Sequence, residues 1–322
     1  MKKILIYNSG GGLGDSIQLF PLILSLQKHF RGSKFYYLGA HENHFLNSLK
    51  EYNIKIRTLD IGIKYFGFRW WHYFITQKKF NSLKIEKFNL IIDLQSKLRN
   101  TIILNKIPSE NFYSSTYNFS FCSNRKKYVF NDDITEMTLN NLSLFLGTKI
   151  RKMEYNFDLI NEKYIKEAKR LLPNKSYVGF SLSQGNEYRK KSWPIENFIE
   201  LARKIKLKNK VPIFFVKESE IKLIDKIKSG VPNALFPEHK SNITCPALVT
   251  ALSKRLDVMV SIDNGIMHMA SLSGIPMIVL FGPTNSNKFA PKIKQIKIID
   301  SKDIYKTDDI SKIGVNEVFH NI

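Results

Sequence analysis

Five stretches of the chain place glycines, carboxylates, cations or aromatics where they could do chemistry. The first is Asn8-Ser9-Gly10-Gly11-Gly12-Leu13-Gly14-Asp15-Ser16. Glycines let a backbone turn sharply and approach a ligand closely. A dinucleotide fingerprint would read G-x-G-x-x-G. Counted from Gly10, its last glycine is replaced by Asp15, which sets a carboxylate where a pyrophosphate would lie. The next apolar run ends Leu38-Gly39-Ala40-His41, with no acidic ribose ligand, and no Gly-Lys-Ser/Thr completes a phosphate loop. Two readings of Asp15 stand: a cap on the helix that follows, or a carboxylate turned toward a substrate.

The second stretch is Ser181-Leu182-Ser183-Gln184-Gly185-Asn186-Glu187-Tyr188-Arg189-Lys190-Lys191-Ser192-Trp193-Pro194. Hydroxyls, a glycine and three consecutive cations suit an anionic ligand such as a diphosphate; they also suit a solvated basic loop. The third is Ser261-Ile262-Asp263-Asn264-Gly265-Ile266-Met267-His268, followed by Gly274-Ile275-Pro276 and Phe281-Gly282-Pro283-Thr284. A strand there runs into a helix, and the free amides and dipole of a helix start favour a negative group. His268 falls on the first turn, beside Asp263. The fourth is Asp93-Leu94-Gln95-Ser96-Lys97, a polar cluster closing a buried strand. The fifth, Phe68-Arg69-Trp70-Trp71-His72-Tyr73-Phe74 with Lys78-Lys79 after it, interleaves aromatics with cations. Such a segment fits a membrane interface, a base-stacking surface or a buried helix face. No Asp-x-Asp triplet and no metal-spaced His/Cys/carboxylate cluster occurs, so no metal is expected.

Short apolar runs alternating with amphipathic stretches must position these residues, a pattern of repeated βαβ units. Strands are expected at Lys3–Tyr7, Phe35–Leu38, Ile54–Leu59 and Leu90–Leu94, with a helical stretch to Phe30 and a helix over Thr135–Leu146. A second series follows: strands at Tyr177–Leu182, Pro212–Val216, Val258–Ile262 and Met277–Phe281, and helices at Ile195–Lys206, Glu218–Lys228, Pro246–Lys254 and Ile266–Leu272. Met153–Lys175 reads as the connection, and Asp309–Ile322 as a short terminal helix. The chain thus reads as two Rossmann-like α/β domains, residues 1–155 and 156–322. Ligands of such sheets bind beyond the carboxyl ends of the strands.

Fifty basic against twenty-eight acidic residues give a net charge of +22, a field that attracts phosphate-bearing partners. Cys122 and Cys245, far apart, imply no disulfide framework. No secretory signal or membrane span is read, so a cytoplasmic protein is expected. The aromatic-basic segment could support nucleic-acid binding, but no standard nucleic-acid motif accompanies it. A nicotinamide oxidoreductase is weakened by the failed fingerprint.

Together the motifs resemble glycosyltransferase family 9, the heptosyltransferases of lipopolysaccharide core assembly. Gly12-Leu13-Gly14-Asp15-Ser16 with Pro21 resembles its G-x-G-D segment and following proline. Asp93-Leu94-Gln95 resembles its D-x-Q-G, Lys191-Ser192-Trp193-Pro194 its K-x-W-P, Asp263-Asn264-Gly265 with His268 its D-[ST]-G-x-x-H, and Phe281-Gly282-Pro283-Thr284 its F-G-P-T. Asn264 and Ser96 depart from the pattern, and Val216-Lys217 replaces an expected Gly-Gly. The resemblance implies a GT-B fold, its parallel sheets facing across a cleft. It implies an inverting, metal-independent and cofactor-free transfer, from ADP-heptose or another nucleoside-diphosphate sugar, to a lipopolysaccharide core or related acceptor. Asp15 would be the catalytic base. Gly12, Gly14, Asp93, Gln95 and Lys97 would lie on the acceptor side. Ser183, Lys191, Glu220, Asp263, Asn264, Gly265 and His268 would hold the donor. Basic residues and Phe68–Phe74 would dock the protein peripherally on the inner membrane, against an anionic glycolipid; no nucleic acid is expected. Transfer to a protein or O-antigen sugar, and a donor-binding protein without catalysis, are the neighbouring alternatives.

Overall fold

The structure, a computed structural model, describes residues 1–41, 44–183 and 190–322. It comprises two compact units, Met1–Tyr155 and Asn156–Ile322.

The first unit is built on β1 (Lys3–Asn8), β2 (Lys34–Gly39), β3 (Arg57–Thr58), β4 (Leu90–Asp93) and β5 (Phe112–Ser114). All pairings are parallel, in the spatial order β3-β2-β1-β4-β5. Ile4 to Tyr7 and Leu90 to Asp93 are buried throughout, as expected of central parallel strands covered on both faces. From β1 the chain moves outward to β2 and β3, then returns to place β4 on the other flank of β1. The loops after β1 and β4 therefore diverge from neighbouring strands, which makes this edge the topological switch point of the sheet.

The second unit repeats the plan. Its strands are β6 (Tyr177–Ser181), β7 (Val211–Phe215), β8 (Val258–Ile262), β9 (Met277–Phe281) and β10 (Ile296–Asp300), in the order β10-β9-β8-β6-β7 and again all parallel. Here the switch point lies between β6 and β8, whose register pairs Ser181 with Ser261. Val178, Phe180, Val260 and Ile278 pack in one cluster with Phe198, Leu201 and Ile205 of the Ile195–Leu207 helix. Ile310, Ile313, Val315 and Val318 of the C-terminal segment close the same core.

Several expected elements differ in extent. The helical stretch after the glycine loop is two helices, Leu13–Ile17 and Phe20–His29, with Pro21 at the start of the second. Proline is tolerated only in a helix's first turn, so a new start is required there. The strand expected over Ile54–Leu59 contracts to Arg57–Thr58 at the sheet's edge. Met153–Lys175 is more than a connection: Glu162–Leu171 is a helix that packs on Pro246–Ser253. The terminal segment holds a 3₁₀ turn, Ile310–Lys312, and a helix, Val315–Phe319. No helix among the described residues is long and apolar enough to cross a membrane.

Candidate functional site

In the first unit the glycine loop leaves β1 and enters the Leu13–Ile17 helix. Asp15 Oδ2 accepts the Gly12 amide at 3.0 Å. The capping role is therefore real, but the side chain remains partly open to solvent. One carboxylate can do both: the cap fixes its direction, and its open side remains able to accept a proton. Gly14 is buried within the helix, and Gly12 is its N-cap.

Behind Asp15 the loops from β1 and β4 are stapled together. Asn8 Oδ1 accepts the Gly10 amide at 3.0 Å and Gln95 Nε2 at 2.7 Å. Buried Tyr37 stands below, hydrogen-bonded to Ser16 and Asn8; loss of water raises its phenol to about 12, against the opposing pull of those bonds. Asn8 opens the glycine stretch, but the sequence gives it no role, and Tyr37 escaped notice because a tyrosine inside a strand carries no motif.

Asp93 does not occupy the acceptor-facing position expected of it. It is 1 % exposed, and its oxygens accept the Gln95 amide, Thr101 Oγ1 and Ser114 Oγ. Burial pushes its carboxyl from 3.8 up to about 6, against those three donors. It is an internal anchor for the Gln95 turn, not a group a substrate can touch. Gln95 is half-buried and Lys97 exposed, so Lys97 is the member of this set most open to a ligand.

In the second unit the residues assigned to the donor gather at the β6–β8 switch point. Asp263 and Asn264 follow β8; Ser183 follows β6; Glu220 stands just before the helix after β7. Lys191 Nζ pairs with Asp263 Oδ2. With side-chain exposures of 13 % and 8 %, the pair is largely desolvated, so each partner fixes the other. Trp193 holds this loop down: it is buried, and its indole N–H donates to Ile313 O at 2.9 Å. Pro194 stands at the N-cap, and the helix opens at Ile195 as expected. Ser183 Oγ donates to Glu220 Oε2 at 2.8 Å, and the Lys217 amide donates to the same oxygen at 3.2 Å.

The Asn264 side chain is turned inward, leaving only its backbone for a ligand. Its Oδ1 accepts the Met267 amide at 2.9 Å, and its Nδ2 donates to Ser181 Oγ at 2.7 Å and Ser183 O at 3.0 Å. The side chain is spent capping the Gly265–Ser271 helix and tying β8 to β6. What Asn264 and Gly265 can offer a ligand is backbone amide, since the opening amides of a helix have no partner within it. His268 is buried on the first turn of the same helix. Thr284, after β9, adds a hydroxyl oxygen that is buried without a hydrogen-bond partner among the described residues; it stood in the F-G-P-T motif but was not singled out. Gln184 to Arg189, part of the same basic loop in the sequence, lie outside the described residues. Among the described residues no group of three His, Cys, Asp or Glu is placed to hold a metal.

The aromatic-basic segment splits in two. Trp70, Trp71 and Phe74 are 57 %, 56 % and 79 % exposed. His72 is buried, with burial the main cause of its lowered pKa, and Tyr73 is half-buried under Lys106 Nζ.

The model of glycosyltransferase family 9 (heptosyltransferase) matches residues 77–319. Solved structures share the fold over the whole chain at low identity. A glycosyl transferase family 9 protein from Veillonella parvula is 19 % identical, with 99 % of this chain and 96 % of that one covered and a TM-score of 0.71. E. coli heptosyltransferase WaaC with ADP-2-deoxy-2-fluoro heptose is 16 % identical, with 99 % and 98 % covered and a TM-score of 0.68. The UDP-GlcNAc 2-epimerase of Methanocaldococcus jannaschii is 16 % identical, with 98 % and 93 % covered and a TM-score of 0.54. No curated protein sequence matches the chain.

Proposed function

The chain belongs to glycosyltransferase family 9, it carries the GT-B fold of that family's heptosyltransferases, and on that premise we propose that it transfers heptose from ADP-heptose to a lipopolysaccharide core or related phosphorylated glycan. The observation that carries the donor side is the cluster at the β6–β8 switch point: Lys191 paired to Asp263, the Asn264–Gly265 amides, and Ser183 with Glu220. A cation and free amides there suit a diphosphate, and a carboxylate beside a hydroxyl suits a ribose. WaaC was solved with an ADP-heptose analogue, which supports adenine and heptose over other donors.

In the reaction, Asp15 takes the proton of the acceptor hydroxyl as its oxygen bonds to the anomeric carbon. The bond from that carbon to the diphosphate oxygen breaks on the opposite face, so the configuration inverts. Lys191 and the amides at Gly265 receive the charge that develops on the departing ADP, as preorganised donors do. Because Lys191 supplies positive charge, the reading requires no divalent cation.

The acceptor is anionic and borne by a membrane, and this agrees with the net charge of +22 and with the exposed Trp70, Trp71 and Phe74 beside Arg69 and Lys78. Aromatic rings at headgroup depth with cations around them suit peripheral attachment to an anionic leaflet.

The test pairs binding with turnover. Titration calorimetry with ADP, GDP, UDP and CDP, with EDTA or magnesium, should show ADP tightest and indifferent to magnesium. Asp15→Asn should bind ADP as the parent does but transfer about 10²–10⁴-fold more slowly. Full transfer by Asp15→Asn would remove the base, and preference for another nucleotide would remove the donor assignment.

A further inference from the structure

Three rings stand together beside the loop that carries Asp15, and neither the motifs nor the reaction above uses them. His41 follows β2; Tyr65 and Phe68 precede the helix His72–Ser82. The His41 imidazole meets Tyr65 edge-on with ring centroids 5.3 Å apart, and Phe68 edge-on at 5.4 Å. Tyr65 and Phe68 are 6.4 Å from each other.

The cluster is seated on the catalytic loop itself. A Cβ added to Gly11 would lie 2.7 Å from His41 Cδ2, so only a glycine lets the ring come so close. The Gly11 carbonyl is within 3.1 Å of His44 Nε2, which fixes that peptide from the other side. On the flanking glycines the contact is with Asp15: a Cβ at Gly10 would stand 3.0 Å from its Oδ2, and one at Gly12 3.1 Å. Three consecutive residues, with α-carbons ~3.8 Å apart, thus bear the carboxylate and the imidazole on one short ribbon.

Phe68 is half-buried, but packing does not account for the other two rings. His41 is exposed and Tyr65 is 57 % exposed. Tyr65 also has a φ of +52°, in the left-handed region that costs an L-residue energy and that collects at binding sites. A solvent-open aromatic in a strained conformation, next to a carboxylate able to take a proton, has the composition of a small-molecule site: apolar faces with a few convergent polar atoms. The ring faces suit the C–H face of a pyranose, and the imidazole nitrogens suit its hydroxyls.

We propose that His41, Tyr65 and Phe68 form the platform that holds the acceptor's sugar ring, with its nucleophilic hydroxyl over Asp15. The proposal rests on the reading of Asp15 as the base. These are binding residues, so they act on acceptor affinity and leave the donor untouched.

The experiment measures transfer from ADP-heptose to the water-soluble oligosaccharide released from lipopolysaccharide by alkaline de-acylation. His41→Ala and Tyr65→Ala should each raise the acceptor KM about 10-fold or more, with the donor KM and ADP affinity unchanged. Gly11→Ala, which deletes no ring but lifts His41 off the loop, should raise the acceptor KM in the same way. Tyr65→Phe should retain most of the parent's acceptor affinity. Acceptor KM within about twofold of the parent in both alanine variants, while Asp15→Asn is inactive, would overturn the platform and leave the base standing. An active Asp15→Asn together with raised acceptor KM in the alanine variants would do the reverse. If the parent transfers nothing, saturation-transfer NMR of the oligosaccharide decides: signals lost in His41→Ala support the platform, and signals unchanged by it, or absent from the parent, overturn it.

Discussion

Asp93 allows a quantitative test, because its carboxylate is sealed in the first unit with donors of known geometry. The Gln95 amide lies 2.9 Å from Oδ1, Thr101 Oγ1 2.5 Å and Ser114 Oγ 2.9 Å from Oδ2. Desolvation outweighs these bonds and raises the carboxyl from 3.8 to about 6. The folded protein therefore binds this proton more tightly than the unfolded chain between about pH 4 and pH 6. Stability from this group is greatest below pH 4, declines as pH rises through that window, and is level above it. A shift of about 2 units at ~1.4 kcal/mol each amounts to about 3 kcal/mol. Asp93→Asn keeps the shape but not the ionisation. Urea denaturation followed by circular dichroism, in half-unit steps from pH 4 to 7, should show the variant gaining about 3 kcal/mol relative to the parent across the window. A difference that stays flat with pH would refute the argument. Transfer at pH 7 should remain within about threefold, since Asp93 touches no substrate; a selective loss of 100-fold or more, with ADP binding intact, would restore it as an acceptor ligand.

Asn264→Ala removes three hydrogen bonds at once, one of them the helix cap, and should lower stability by about 2–4 kcal/mol. Asn264→Ser restores the cap but not the tie to β6, and should recover about 1 kcal/mol of that in the same urea series; equal losses would show that the cap contributes nothing. Trp70→Ser/Trp71→Ser should sediment less with vesicles of anionic phospholipid at low salt than the parent does, with ADP affinity unchanged. Equal sedimentation would show that these rings are not the membrane contact.

Strand positions in both units were legible because central parallel strands are short, apolar on both faces and bounded by polar or glycine breaks. Val258–Ile262 and Met277–Phe281 coincide with expectation to the residue. What escaped notice had weaker signals. β5, with only Phe112–Ser114, is too short for a periodicity. Ile296–Asp300 alternates with Lys297 and is half-exposed. Glu162–Leu171 buries only Tyr164 and Ala168, so its charged face dominates the sequence. At the sites, motif residues were locatable but their partners were not. Nothing in sequence links Lys191 to Asp263, seventy-two positions on, or His41 to Gly11. Whether a polar side chain is offered to a ligand or used up inside depends on such long-range pairs, and this is why Asp93 reads as an acceptor-side group from the sequence.

The two sheets solve the same problem with the same kind of side chain. At each switch point, loops from adjacent strands diverge, leaving a gap that a ligand can enter and that the backbone ladder no longer braces. In the first unit the Gln95 amide spans it to Asn8; in the second the Asn264 amide spans it to Ser181 and Ser183. A carboxylate could not do this, since it has no donor, and a lysine could not, since it has no acceptor. Asn264 uses both halves of its amide, one on the helix and one on β6, so the angle at which Gly265 presents its amides is tied to the position of the β6 edge. A serine or threonine can cap the helix but lacks the two donors needed to reach β6 as well. The departure from the family's usual D-[ST]-G is therefore a mechanical change, one that braces the β6–β8 edge under the proposed donor site.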